Sequence, residues 1–240
     1  MRIALLGDIH ANLEALEAVL ADAGQQAIDQ IICTGDIVGY NADPVACLEK
    51  IREMGCPTVK GNHDEEAAGN QSLERMNPIA MAALQWTREQ LSDEQRQWLS
   101  RLRMVRQVHD FTVVHSSLDQ PERWNYVTNR FDAMAHFTHQ FTSVCFHGHT
   151  HTPRIYQKLD KVIELQCQHL VLEPQAKYLI NIGSVGQPRD GDWRASYAIY
   201  DREKAEVAIR RVEYDVSKAQ RKIIAADLPE ALATRLEYGR

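Results

Sequence analysis

The sequence predicts an α/β fold that contains two packed β-sheets. In the first 150 residues, short apolar strands alternate with helical patterns, which indicates α/β layering with a partly parallel sheet. After His151 the pattern changes to strand-rich segments separated by turn residues, which favours a second sheet packed on the first. A chain of 240 residues without a Pro, Gly or Ser-rich linker can bury its own core, and we expect a single domain over residues 1–240.

Each strand predicted in the first half of the chain leads into a polar loop. RIALL leads to GDIH, IDQIIC leads to TGDIVG, CPTV leads to KGNHD, FTVV leads to HSSL, and SVCF leads to HGHTHTP. The helix after the first strand is amphipathic, because Leu13, Leu16 and Leu20 share one face. Residues 77–108 carry helical periodicity and are predicted to form a helical insertion between two of these loops.

The second half of the chain is predicted to be rich in strands and to end in a helical tail. The strand segments are KVIELQC, KYLINIGS, SYAIYD and AEVAIRRVEYD. Residues 214–240 then have a helical pattern, in which Pro229 restarts a helix at its first turn.

Composition argues against several classes of protein, namely those that bind nucleic acid or membranes through bulk charge, secreted or membrane-spanning proteins, and disulfide or thiolate-zinc proteins. A net charge of −6 argues against a surface that holds nucleic acid or an anionic membrane by bulk electrostatics, although a locally positive site remains compatible with it. The apolar run IALL is too short for a signal peptide, and no later run approaches the length of a membrane span, so we expect a cytoplasmic protein. The odd set of cysteines has no C-x-x-C spacing and predicts neither a disulfide framework nor a thiolate zinc site: Cys33, Cys47, Cys56, Cys145 and Cys167.

The polar loops contain the candidate functional residues. Ligands of open α/β sheets bind at the carboxyl ends of strands, so side chains from these loops can converge although they are far apart in sequence. The residues are the ones that proteins use to bind metals: Asp8, His10, Asp36, Asn62, His63, Asp64, His115, His149 and His151.

Taken one at a time, these residues have simpler explanations. Asp8 is in a position typical of a turn or a helix cap, Asp36 could be a loop carboxylate, and His115 could be a hydrogen-bonded histidine at a strand end. Repetition of the pattern at all five strand ends favours a metal site instead. The pairs Asp8/His10 and His149/His151 support it, because positions i and i+2 lie on the same side of an extended chain.

The loop series resembles the calcineurin-like metallophosphoesterase superfamily in order and approximate spacing. The matching motifs are GDIH, TGDIVGY, KGNHD, a lone histidine at a strand end and GHTHTP. The later NIGSVGQPRDGDWRASYAIYD resembles the version found in small bacterial and archaeal YfcE-like phosphodiesterases, and the likeness covers about residues 1–201. Two departures leave the ligands intact: Ser116 follows His115 where the family often has glycine, and Ile182 replaces the usual proline.

The resemblance implies a four-layer αββα sandwich of two mixed β-sheets flanked by helices, with a dinuclear metal centre. It implies one metal on Asp8, His10, Asp36 and His151, and a second on Asp36, Asn62, His115 and His149, with Asp36 bridging. It also implies that His63 protonates the leaving group and that Asp64 orients the His63 ring.

The chemistry of these residues agrees with that assignment. Nitrogen and oxygen donors without a thiolate suit Mn, Fe, Zn, Ni or Co better than Mg or Ca. Two divalent ions on only two carboxylates keep a positive charge that attracts phosphate. They would also lower the pKa of a shared water, so that a bridging hydroxide attacks phosphorus while Asn62 and the metals hold the phosphate.

We therefore predict a metallophosphoesterase that acts on a small phosphate ester, with a phosphodiester favoured on the resemblance. Alternatives are a phosphomonoesterase, including a phosphoprotein phosphatase or a dinucleoside-polyphosphate hydrolase, and a non-catalytic scaffold on the same fold. Arg189 could bind a phosphate oxygen or form an ion pair with Asp190 or Asp192. Trp124 and Tyr126 could stack on a base, cover the metals, or simply pack.

Overall fold

Two mixed β-sheets form the centre of the protein in this computed structural model, which describes residues 1–69, 73 and 77–240. The strands are β1 (Arg2–Leu6), β2 (Gln30–Cys33), β3 (Val105–Val108), β4 (Phe111–Val114), β5 (Val144–His147), β6 (Arg154–Lys158), β7 (Val162–Leu165), β8 (His169–Val171), β9 (Lys177–Asn181), β10 (Ala195–Asp201) and β11 (Glu206–Val212). The helices are α1 (Leu13–Gly24), α2 (Pro44–Met54), α3 (Asn62–Ala68), α4 (Pro78–Gln90), α5 (Asp93–Ser100), α6 (Arg130–His139), α7 (Val216–Ala225) and α8 (Glu230–Thr234), with 3-10 turns at Pro121–Arg123 and Arg235–Tyr238.

The predicted layers are confirmed, and the alternation of side chains along the strands explains them. In β1, Ile3 and Leu5 belong to the core between the sheets, whereas Ala4 and Leu6 belong to the core under the helices. The second sheet shows the same period, because Tyr178 of β9 faces the central core and Leu179 faces the core beneath α6. Both sheets therefore bury both faces, and helices cover the outer ones.

The division of the strands between the two sheets differs from the prediction. The first sheet has the order β2-β1-β10-β11-β8 and the second has the order β3-β4-β5-β9-β6-β7. The late strands are thus divided between the sheets: β10 pairs antiparallel with β1, and β9 pairs parallel with β5. Both β9 and β10 are almost wholly buried, so neither carries the one-sided pattern that would assign it to a sheet.

Other segments also differ from their predicted state. The predicted insertion contains α4 and α5, but its last residues form β3, because the chain turns back at His109 and pairs antiparallel with β4. The segment CPTV makes only isolated bridges, Cys33 with Thr58 and Val59 with Arg103. The strands β6 and β8 were not predicted, since each lies among polar residues.

The C-terminal segment packs back onto the first half of the chain. Helix α7 contacts α1, and the apolar cluster formed by α7, α8 and the last 3-10 turn packs against Tyr40 and Trp86. Pro229 lies at the N-cap of α8, next to its first helical turn. Across residues 1–69, 73 and 77–240, the helices are all too short or too polar to span a membrane.

Candidate metal centre

The predicted ligand residues gather at one edge of the molecule, where loops from both sheets meet. Asp8 and Asp36 follow β1 and β2 of the first sheet, and His115 and His149 follow β4 and β5 of the second. Backbone hydrogen bonds join neighbouring loops, since Asp8 N donates to Gly35 O at 2.9 Å and Gly148 N donates to His115 O at 2.9 Å. The site therefore bridges the two sheets.

The side chains form two groups, each able to hold a metal ion, whose members are buried. The first group is Asp8, His10, Asp36 and His151, and the second is Asp36, His115 and His149, with donor atoms within 4.8 Å of one another in each group. In the first, His10 Nε2 lies 3.0 Å from His151 Nε2 and 3.5 Å from Asp36 Oδ2. In the second, His115 Nε2 lies 3.3 Å from that same Asp36 Oδ2. A single carboxylate oxygen thus faces both groups.

The histidines are oriented by the backbone in the way that metal ligands require. In each of the four, one ring nitrogen faces a carbonyl oxygen, which can only accept a hydrogen bond. That nitrogen therefore carries the hydrogen and the opposite nitrogen offers a lone pair. The pairs are His10 Nδ1 with Val38 O (3.1 Å), His115 Nδ1 with Thr34 O (2.9 Å), His151 Nδ1 with Gln187 O (2.6 Å) and His149 Nε2 with Trp124 O (2.8 Å).

Backbone strain is concentrated at these residues. Five of them have left-handed backbone conformations, with φ of 47° at Asp8, 47° at His10, 53° at Asp36, 70° at His149 and 59° at His151. Such conformations cost non-glycine residues about 1 to 2 kcal/mol each. Asp8 and His10 share the first group as their i and i+2 spacing predicts, whereas His149 and His151 belong to different groups. The expected extended chain is wrong at both pairs, because left-handed turns aim the side chains.

Charge and burial oppose each other at the two carboxylates. Burial raises the pKa of Asp8 to about 6, with His115 opposing the rise and the charge of Asp36 adding to it. Burial also acts to raise the pKa of Asp36, but His115 and His63 outweigh it and hold that pKa well below its usual range. A divalent cation would compensate both buried carboxylates.

Asn62 and His63 open helix α3 directly beside the groups. The Asn62 Oδ1 atom is buried and has no hydrogen-bond partner among the described residues, which suits an oxygen ligand. His63 N donates to Asp36 Oδ1 at 2.8 Å, and the His63 ring lies 4.8 Å from that of His10 and 4.4 Å from that of Tyr40. Burial lowers the pKa of His63 to about 4, against the opposing charge of Asp36.

Asp64 does not hold the His63 ring, which corrects the orienting role expected for it. Its Oδ2 accepts from Asp36 N at 2.8 Å and from Gly61 N at 3.0 Å, and its Oδ1 accepts from Ile37 N at 2.8 Å. Asp64 is therefore a buried brace between the loop after β2 and the start of α3, and it also caps that helix.

Glycine at position 61 allows the two loops to approach each other. A Cβ atom there would lie 2.0 Å from Asp36 Oδ1 and 2.4 Å from Asp36 N. Any larger residue would displace the carboxylate that faces both groups.

Arg189 lies next to the first group and is not paired with its acidic neighbours. Its Nη2 donates to Gln187 Oε1 at 2.8 Å, and its Cζ lies 5.6 Å from the Tyr40 ring centroid. Its backbone N–H donates to His151 O at 3.1 Å, which ties its loop to the site. The two acids bind other arginines, since Asp190 pairs with Arg211 and Asp192 pairs with Arg194.

Aromatic residues border the centre on two sides. Tyr126 is half exposed and stacks on His149 with ring centroids 4.1 Å apart, while the Trp124 ring meets that of His115 edge-on at 5.9 Å. On the other side, Tyr40 contacts both His10 and His63. The sequence reasoning missed Tyr40, although it ends the motif TGDIVGY. His147 belongs to neither metal group and instead faces Ser116 O.

Comparison with known proteins gives matches over the whole chain. The calcineurin-like phosphoesterase superfamily domain matches residues 1–205. The uncharacterized protein MJ0912 of Methanocaldococcus jannaschii is 40% identical over 242 residues, which covers 99% of this chain and 98% of that protein. The crystal structure of a metallophosphoesterase from Sphaerobacter thermophilus superposes with a TM-score of 0.89 at 42% identity, covering 100% of this chain and 99% of that one. A symmetrical bis(5'-nucleosyl)-tetraphosphatase of Glaesserella parasuis is 28% identical over 130 residues, or 52% of this chain and 47% of that protein.

Proposed function

The chain belongs to the calcineurin-like phosphoesterase superfamily, and from that premise we propose that it hydrolyses a small phosphodiester at a dinuclear metal centre. One metal would bind to Asp8, His10, Asp36 and His151, and the other to Asp36, Asn62, His115 and His149. The observation that carries the proposal is the position of Asp36 Oδ2, which lies 3.5 Å from His10 Nε2 and 3.3 Å from His115 Nε2.

When bound, the metals would activate a water and clamp the phosphate oxygens, and the donor set suits Mn, Fe, Zn, Ni or Co. The protein would supply the remaining functions. Backbone carbonyls keep the histidine lone pairs in place, and Asn62 would add a neutral ligand that preserves the positive charge of the site.

We propose that His63 donates a proton to the leaving oxygen. Burial disfavours its charged form, but a bound phosphate next to the ring would favour protonation again. The packing of the ring against His10 and Tyr40 holds it beside the first metal group without making it a ligand. Arg189 would contact a phosphate oxygen, since Asp190 and Asp192 are paired elsewhere.

The test is the hydrolysis of two chromogenic esters by protein that has been reconstituted with Mn²⁺. The proposal expects turnover of bis-p-nitrophenyl phosphate to exceed that of p-nitrophenyl phosphate, and it expects both to vanish on metal chelation and in Asp36→Asn. A much faster monoester would favour a phosphomonoesterase. No turnover of any phosphate ester by metal-loaded protein would reject the function.

A second candidate is a dinucleoside-polyphosphate hydrolase. It is supported by the partial similarity to the Glaesserella parasuis bis(5'-nucleosyl)-tetraphosphatase, which is named for such a substrate. Turnover of diadenosine tetraphosphate, measured by release of adenosine diphosphate, would distinguish it from a simple phosphodiesterase. A non-catalytic scaffold is disfavoured, because every ligand position is filled.

A further inference from the structure

Both histidines of the second metal group depend on one segment of the chain, residues 115–124. His115 begins this segment directly after β4. Trp124 ends it, and the Trp124 carbonyl accepts a hydrogen bond from His149 Nε2 at 2.8 Å. The carbonyls that orient the two histidines of the first group belong to other loops. A displacement of the segment would therefore disturb the second group in particular.

Two buried histidines hold the start of this segment. His147, the last residue of β5, donates from Nδ1 to Ser116 O at 3.0 Å. His136, in α6, accepts at Nδ1 from Leu118 N at 3.1 Å, and the Ser117 hydroxyl lies 3.4 Å from the same nitrogen. The two rings are neighbours, with centroids 6.3 Å apart. They thus hold three consecutive residues from two different elements of the fold.

These hydrogen bonds also fix the tautomer of each ring. A carbonyl oxygen can only accept, so His147 carries its hydrogen on Nδ1; a backbone N–H can only donate, so His136 carries its hydrogen on Nε2. Among the described residues, the two metal groups include neither ring. The contacts of these histidines with the segment are therefore separate from metal ligation.

Local hydrogen bonds connect the start of the segment with its end. Asp119 N donates to Ser117 Oγ at 3.1 Å, and in the 3-10 turn that follows Trp124 N donates to Pro121 O at 3.3 Å. The segment is thus a series of closed turns, so the position of its first residues influences the position of the Trp124 carbonyl.

We propose that His136 and His147 are positioning residues for the second metal, because they hold the segment in the place where His115 and His149 can bind the same ion. This rests on the proposed function, which assigns a second metal to that group. The expected consequence is selective. Loss of either ring contact should weaken the second metal and leave the first unchanged, since the first group is oriented by other loops.

Isothermal titration calorimetry with Mn²⁺ on the metal-free protein tests this selectivity. His10→Ala and His115→Ala assign each binding event to its group. In His147→Phe we expect the affinity of the second event to fall on the order of tenfold, with the first event unchanged. His147→Asn should restore most of that affinity, because its amide N–H lies where Nδ1 was and can donate to Ser116 O. His147→Gln places its amide near the Nε2 position instead, so it should resemble the phenylalanine variant.

The same comparison applies to the other ring. His136→Phe and His136→Gln should weaken the second event, whereas His136→Asn should restore it, because its amide oxygen can accept from Leu118 N. The matched control is His169→Phe, at an exposed histidine of β8, the edge strand of the first sheet. It should keep both affinities. Circular dichroism of each metal-free variant checks its folding, and the glutamine variants decide the result where a phenylalanine variant does not fold.

Three results would overturn the proposal: equal loss of both affinities, an unchanged second affinity in the folded phenylalanine or glutamine variants, or a wild type that binds a single Mn²⁺ ion. Hydrolysis is not measured in this experiment. A protein that binds two ions with the expected selectivity but turns over no phosphate ester would reject the proposed hydrolysis and would leave the positioning role supported.

Discussion

Asp64→Asn tests whether Asp64 braces the loops or orients the His63 ring. The carboxylate accepts Asp36 N and Gly61 N on one oxygen and Ile37 N on the other, and all of these lie within 3.0 Å. An asparagine has one oxygen, so its amide group must face at least one of these buried N–H donors in either orientation.

The number of N–H donors that lose their acceptor sets the expected loss in free energy of unfolding. One orientation removes the acceptor of Ile37 N and of the longer bond from Val38 N, and the other removes the acceptor of both Asp36 N and Gly61 N. Each buried donor left unsatisfied costs about 1 to 3 kcal/mol, so we expect the free energy of unfolding to fall by about 2 to 4 kcal/mol. Metal affinity should fall as well, because the displaced loop carries Asp36.

Urea denaturation of the metal-free protein measures the first effect, and elemental analysis measures the second. The matched control is Asp132→Asn, since Asp132 also accepts a backbone N–H, from Thr128 at 2.9 Å, but at the surface. It should cost less than about 1 kcal/mol. A variant at position 64 with wild-type stability and metal content, but with slow turnover, would refute the brace and restore the orienting role.

Three further changes test other parts of the site and fold. Gly61→Ala should weaken metal binding on the order of 100-fold, because the new Cβ would meet Asp36 Oδ1; elemental analysis after dialysis measures it. His63→Ala should keep its metals but slow hydrolysis by about 100-fold or more for esters with poor leaving groups, measured as kcat. Asp22→Asn should lower the free energy of unfolding at pH 7 by about 1 kcal/mol, since Arg210 lowers the pKa of Asp22; the difference should shrink below about pH 4.

Each of these has a control and a contrary result. Gly24→Ala, at a glycine with nothing within 4 Å of the new Cβ, should keep full metal content. Equal slowing of good and poor leaving groups in His63→Ala would contradict proton donation. The sign at Asp22 follows from a folded pKa below the unfolded one, so the ion pair stabilises above the unfolded pKa and is lost as pH falls. A pH-independent difference would contradict it.

The convergence of the site was predictable because strand ends of a layered fold meet at one edge. The backbone conformation of Asp8 and His151 was not, because a short polar loop carries no alternation from which a left-handed φ could be inferred. Asp64 was assigned to its neighbour His63, but in the folded chain four backbone N–H groups donate to its oxygens.

Dependence on long-range contacts also explains why the division of the strands between the sheets was not predicted. The sequence indicated correctly that β9 and β10 are strands, because both are rich in apolar and aromatic residues. A strand buried on both faces has no polar side, and its partners depend on long-range contacts. The layering could therefore be predicted, whereas the pairing of β10 with β1 could not.

Because the candidate ligands come from both sheets, a bound ion would act as a crosslink of the fold as well as a reagent. His10 and His151 are 141 positions apart in the chain, yet their ring nitrogens lie 3.0 Å from each other. An ion shared by such residues closes a very long loop, and it stabilises the folded state by about 2.7 kcal/mol when its free concentration is 100 times its Kd. Loss of the metal would then weaken the link between the two sheets, so that the free metal concentration would affect the stability of the fold as well as the proposed hydrolysis.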